Sequence, residues 1–214
     1  MAINVTNVRN VSQGIGNISQ CGLRASANLN NVSITLRDFN RVWKGGLYES
    51  VANSYDRVVD DFNKLVNYLT VEVPNTINAS MAHMASINQV AYNAANIQSP
   101  KPIEKVNAKK EEAMFMYEKA SFDQKQNEIM SLIKDTKQQF RSILDEVNTG
   151  LFRSGFGEND STYTAIKSNT GSMIQEVTTE IEGFETSFNN ALNEISSREQ
   201  SGEQASVQNI NTIN

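Results

Sequence analysis

The sequence predicts an all-α protein: an elongated antiparallel four-helix bundle made of two helical hairpins. Apolar residues recur by threes and fours along most of the chain. Glycines break that pattern near Gly45 and again near Gly150, and Pro100 and Pro102 divide the chain near its middle. Composition points the same way. Three prolines and 11 glycines in 214 residues, with hydrophobic residues at 39%, suit long amphipathic helices better than a wide core.

The first helix is written by Ile15, Ile18, Gly22, Ala25, Leu29, Val32, Leu36 and Phe39, a heptad seam of helices that cross at shallow angles. Gly14, Gly16 and Gly22 weaken its start, so fraying is expected before about Gly16. The stretch Arg41-Val-Trp-Lys-Gly-Gly-Leu-Tyr48 interrupts the seam and holds the only Trp. Gly45 and Gly46 can adopt positive φ and reverse the chain. Trp43 then serves as a plug over the hairpin end, its indole N–H expected to find a backbone partner or water.

Leu47, Val51, Tyr55, Val58, Phe62, Leu65 and Leu69 line the second helix. Pro74 predicts a kink or short break. Ile77, Met84, Ile87 and Ala91 carry the stripe on to about Ala95. Residues 98–102 read as a linker, with Pro102 early in a third helix whose first turns carry Glu104, Lys105, Lys109, Lys110, Glu111 and Glu112. The seam of that helix is Ile129, Ile133, Thr136, Phe140, Ile143 and Val147, and Gly150 is its natural stop. After a loop with Gly155 and Gly157, Asp160 or Ser161 caps a fourth helix bearing Val177, Ile181, Phe184, Phe188, Leu192 and Ile195.

The domain reading is a first hairpin over 1–97, a linker over 98–102, a second hairpin over 103–197 and a flexible polar tail over 198–214. Each hairpin hides one seam by packing on the other. Helices of about 30 to 45 residues span about 45 to 70 Å, which makes the body a rod.

Charge excludes one class of partner. Residues 1–100 carry 7 basic and 6 acidic groups, whereas from Ser154 onward 2 basic face 9 acidic. Nucleic-acid binding needs clustered Lys and Arg, so no such interface is expected. The single cysteine, Cys21, allows no internal disulfide and reads as a buried small hydrophobe. The single histidine, His83, lacks the companions of a metal site. No phosphate-binding glycine loop occurs and no nucleophile–base set assembles. The expectation is therefore no catalytic, cofactor-binding or metal-binding residue, no cofactor and no small-molecule substrate. No run approaches the ~20 apolar residues of a membrane span. The start lacks the basic and apolar regions of a signal peptide, so a leaderless chain is expected. Glu176, Glu180, Glu182 and Glu185 form an acidic face that either docks a basic partner or faces Lys134, Lys137 and Arg141.

Trp43-Lys44-Gly45, midway along a hairpin of about 100 residues and followed by Tyr48, Tyr55 and Phe62 on the next helix, resembles the WXG family of ESAT-like (Esx) type VII secretion substrates. The likeness covers residues ~10–96. The region ~103–197 matches by architecture alone, with a degenerate second turn in which Phe152-Arg153-Ser154-Gly155 parallels Trp43-Lys44-Gly45-Gly46. The resemblance implies a tandem two-hairpin version in which a pairing usually made between two chains is made within one. It also implies leaderless export by the type VII route, with a cytoplasmic location as the alternative. Its partners would be other helical secretion-system proteins or a second copy of itself. The family's export signal, Tyr-x-x-x-Asp/Glu after the second helix, has one counterpart here. That is Tyr68-Leu-Thr-Val-Glu72, which falls within the helix just before Pro74. Three routes stay open: a partner carries the signal, a different signal serves, or the chain is not exported this way.

Three functional classes follow. One is a secretion-associated binding protein acting as effector, chaperone or targeting partner. Another is a structural, filament-forming coil. The last is a membrane-active bundle, for which no long apolar hairpin is seen.

Overall fold

The computed structural model describes residues 8–41, 43–108, 116–117, 119–151 and 160–213, with side chains placed for residues 10–41, 43–108, 119–151 and 160–201. The elements are α1 (Val8–Phe39), β1 (Trp43–Lys44), α2 (Gly46–Asn67), a π-helical turn (Tyr68–Glu72), α3 (Val73–Ile87), β2 (Met116–Tyr117), α4 (Lys119–Asp145), a second π-helical turn (Glu146–Gly150) and α5 (Ser161–Ile213). The long helices form an antiparallel four-helix bundle. Its strongest packing is α1 on α4 and α2 on α5. The direction of each pair is fixed by its contacts. Asp38 meets Lys125 while Asn17 meets Glu146, and Arg57 meets Glu180 while Tyr55 meets Phe184. Hairpin therefore packs on hairpin, α1 and α2 with their turn against α4 and α5.

The heptad seams are the core. Ile15, Ile18, Ala25, Leu29, Val32, Leu36 and Phe39 of α1 are fully buried. So are Ile129, Ile133 and Ile143 of α4 and Ile181, Phe184 and Phe188 of α5. Phe62 and Phe140 stack across the interior at 6.2 Å. Gly22 faces Leu69 and Thr70, where an added Cβ would lie 3.6 Å from both, in ordinary van der Waals contact.

Several boundaries differ from the sequence reading. α1 is helical from Val8, ahead of Gly14 and Gly16. The break expected at Pro74 takes the form of a π turn. There the Val73 N–H bonds to the Tyr68 carbonyl, and Pro74 has no N–H to give. The Leu69 carbonyl is met instead by the Ser19 hydroxyl of α1, 3.4 Å away. α3 ends at Ile87 rather than near Ala95. The Val90 N–H bonds to the Ala85 carbonyl and the Gln89 N–H to the Ser86 carbonyl, a Schellman closure with Gln89 at φ 55° in the place glycine usually takes. The third long helix begins at Lys119, not beside Pro102. Residues 90–108 have no regular secondary structure and lie as a strap bonded to side chains of α1, α2 and α3, so Glu104 and Lys105 belong to the strap and not to a helical turn. At the far end, α5 stays helical through Ile213 instead of losing regularity after Ser196. β1 and β2 form a short antiparallel pair, Trp43 opposite Tyr117 and Lys44 opposite Met116, which periodicity does not foretell.

Candidate functional site

Of the residues that the sequence singles out, Trp43 has the most developed surroundings. Gly45 takes φ 109° and ψ −174°, a conformation a side chain would strain. Gly46 instead opens α2, with nothing within 4 Å of where its Cβ would stand. Of the two glycines, Gly45 alone makes the reversal. Its carbonyl then accepts from the Glu49 N–H at 3.1 Å, starting the helix.

The reversal sends the Trp43 indole into the bundle, where it is fully buried. Its ring centroid lies 6.0 Å from Phe39 of α1, 5.5 Å from Tyr48 of α2, 5.3 Å from Phe122 of α4 and 6.4 Å from Phe188 of α5. The contacts with Phe39, Tyr48 and Phe122 are edge-to-face, the arrangement ring quadrupoles favour. One side chain thus touches all four long helices and caps that end of the bundle. Among the described residues, the buried Trp43 Nε1 finds no protein acceptor, because its neighbours are rings. Tyr48 reaches back to α1, its hydroxyl donating to the Leu36 carbonyl at 2.9 Å. Phe122 was not foreseen as a cap residue, although it stands one heptad before Ile129 and that spacing could have found it.

Tyr68 and Glu72 lie on the π turn at the opposite end of α2. Glu72 is exposed and accepts from the Asn67 side-chain amide at 3.0 Å. Tyr68 is half-buried against Asn169 and Thr170 of α5. Burial raises its phenol above the usual tyrosine range, while the polar side chains of Asn169 and Thr170 beside it work against the rise. With Lys64, Ser172 and Met173 these residues line an open groove of about 420 Å³. Four positions apart, Tyr68 and Glu72 lie on one side of the helix at the groove's edge. The degenerate second turn, Phe152 and Gly155, lies outside the described residues.

The remaining candidates separate. His83 is exposed on α3, and among the described residues no three His, Cys, Asp or Glu side chains converge as a metal site would need. Cys21 is half-buried at the edge of the core rather than inside it, and burial raises its thiol pKa. On the acidic face, Glu185 pairs with Lys137 at 2.6 Å and Glu180 with Arg57 at 3.2 Å, so half of that face is turned to this chain's own cations. Among the described residues, no helix is long and apolar enough to cross a membrane.

No family model matches the chain, and none of the curated proteins or solved structures compared with it does either.

Proposed function

We propose that this protein acts by binding other proteins, as a WXG-like component exported by type VII secretion. The supporting observation is the Trp43-Lys44-Gly45 turn. It closes the α1–α2 hairpin with Gly45 at φ 109° and buries Trp43 against the second hairpin through Phe122 and Phe188. Pairing of one hairpin on another is what the WXG resemblance implies, and in this chain the second hairpin is supplied in cis. Tyr68 and Glu72, at the edge of an open groove, are the single Tyr-x-x-x-Glu spacing in the chain; because it falls within the helix, export in this reading relies on a signal carried by a partner or of another form.

The test is export of the tagged full chain by a bacterium with an active type VII system and by the same strain lacking the system's membrane ATPase. The reading predicts intact chain in the medium of the first strain and retention in the second. Equal amounts in both media, or none in either, would contradict it.

A structural, self-assembling role is the second reading. It is favoured by α5, whose backbone stays helical to Ile213, well beyond Phe188 at the cap.

A further inference from the structure

The strap is held in an unusual manner. An extended segment outside a sheet must satisfy its main-chain groups some other way, and here side chains of distant helices do so. On the α2–α3 side, the Asn78 carboxamide donates to the Ala95 carbonyl at 2.9 Å and accepts from the Ala95 N–H at 3.0 Å. Asn63 repeats the clamp on Ile103 at 3.0 and 2.9 Å. The Asp56 carboxylate accepts from the Val106 N–H at 2.6 Å and the Asn107 N–H at 3.0 Å. On the α1 side, Ser12 donates to the Asn93 carbonyl at 2.9 Å, and both Ser33 and Arg37 donate to the Glu104 carbonyl, at 2.6 and 2.9 Å.

These contacts are made mostly to the strap's main chain. Its side chains enter at a few points: Ile103 and Val106 are the buried aliphatic anchors, Lys105 pairs with Asp60 at 2.6 Å, Glu104 pairs with Arg37 at 3.3 Å, and the Tyr92 hydroxyl donates to the Asn78 side-chain oxygen at 2.6 Å. Between the clamps, Pro100 and Pro102 arch over α1, leaving an open groove of about 510 Å³ floored by Leu23, Ala27 and Ile34. Gln89 and Asn107, at φ 55° and 50°, are the non-glycine residues with positive φ among those described, and they stand at the two ends of the strap. Asn tolerates that conformation, whereas Gln does so at a cost.

We propose that the groove between α1 and α2–α3 is a receptor for an extended polypeptide segment with two aliphatic side chains three positions apart and a basic residue between them. Residues 93–107 occupy it as a tethered stand-in, which a partner's segment displaces. The clamps define the ligand's conformation, Ile103 and Val106 its anchors, and Asp60 its charge. The open groove beside the proline arch is where an incoming segment first finds exposed Ile34. This site concerns binding and not the route of export, so a chain that stays inside the cell leaves it standing.

The test uses the full chain with Ile103→Asp and Val106→Asp, which frees the strap and leaves Asp56, Asn63 and Asn78 untouched. A labelled peptide of residues 91–108 is titrated against it and followed by anisotropy. Saturable binding is expected. It should weaken about tenfold when Asn63→Ala removes one clamp, and by about a hundredfold or more in the parent chain, where the tethered strap competes at high effective concentration. Absence of binding to a variant with full helicity would overturn the proposal. Should that variant not fold, hydrogen exchange in the parent decides. The Ala95, Ile103, Val106 and Asn107 amides are expected to exchange together, faster than the α1 and α4 core. Exchange only through global unfolding would make the strap a fixed part of the core and overturn the proposal.

Discussion

The Ser19 hydroxyl of α1 donates to the Leu69 carbonyl across the α1–α2 interface, inside the core. The bond is needed because the π turn takes the Val73 N–H to Tyr68 and residue 74 is proline. Ser19→Ala leaves a buried carbonyl without a donor and should cost about 1 to 3 kcal/mol in urea unfolding. Pro74→Ala supplies an N–H five residues beyond Leu69, so the double variant should lose less than Ser19→Ala alone.

Trp43 joins four helices through ring contacts, so its removal opens a large cavity. Trp43→Ala should destabilise by about 3 kcal/mol or more, and Trp43→Phe by clearly less. As the only Trp, it reports on itself. Native emission should be that of an apolar environment and shift red in the same transition that loses helical circular dichroism. An unchanged melting temperature for Trp43→Ala would contradict the cap.

Two positive-φ positions should respond in opposite directions. Gly45→Ala forces a side chain onto φ 109° and should cost about 1 kcal/mol or more, while Gly46→Ala, in open space at a helix start, should be neutral or slightly stabilising. Gln89→Gly relieves the left-handed position that closes α3 and should stabilise by up to about 1 kcal/mol. Thermal melts of the three variants check the signs.

Tyr55 is fully buried, its hydroxyl donating to the Leu29 carbonyl. Burial first, and neighbouring Asp56 second, raise its phenol well above 10, with Arg37 and the Ser33 backbone acting the other way. The folded state thus holds a proton that the unfolded state releases from about pH 10 upward. Stability from this group is complete below that pH and falls as pH rises beyond it. Tyr55→Phe should lose about 1 kcal/mol at neutral pH and show a shallower alkaline decline in unfolding free energy.

What was legible in the sequence was whatever depends on helical periodicity. Ile15 through Phe39, Val51 through Leu69, and Ile129 through Val147 fall in the core because a three-and-four spacing places them on one face. Pro74 announced its break because the missing N–H is a local fact. The strap was not legible. Glu104, Lys105, Lys109 and Glu112 look like helical charge spacing, whereas Ile103 to Asn107 are held outside any helix by Asp56, Asn63, Ser33 and Arg37, partners 40 or more residues away. The end of α3 was hidden because Gln89 stands where glycine would have signalled it. Trp43 was recognised as a plug, but its contacts with Phe122 and Phe188 depend on how the hairpins pack, which one hairpin's sequence does not encode.

Proposed export rests on where the native chain is found. The most direct measurement is to fractionate producing cells and their medium and recover the full-length chain. Intact full-length protein in the medium is the predicted result. Full-length protein confined to the cells, with none outside, would contradict secretion and leave the Trp43 turn as a device for closing a bundle.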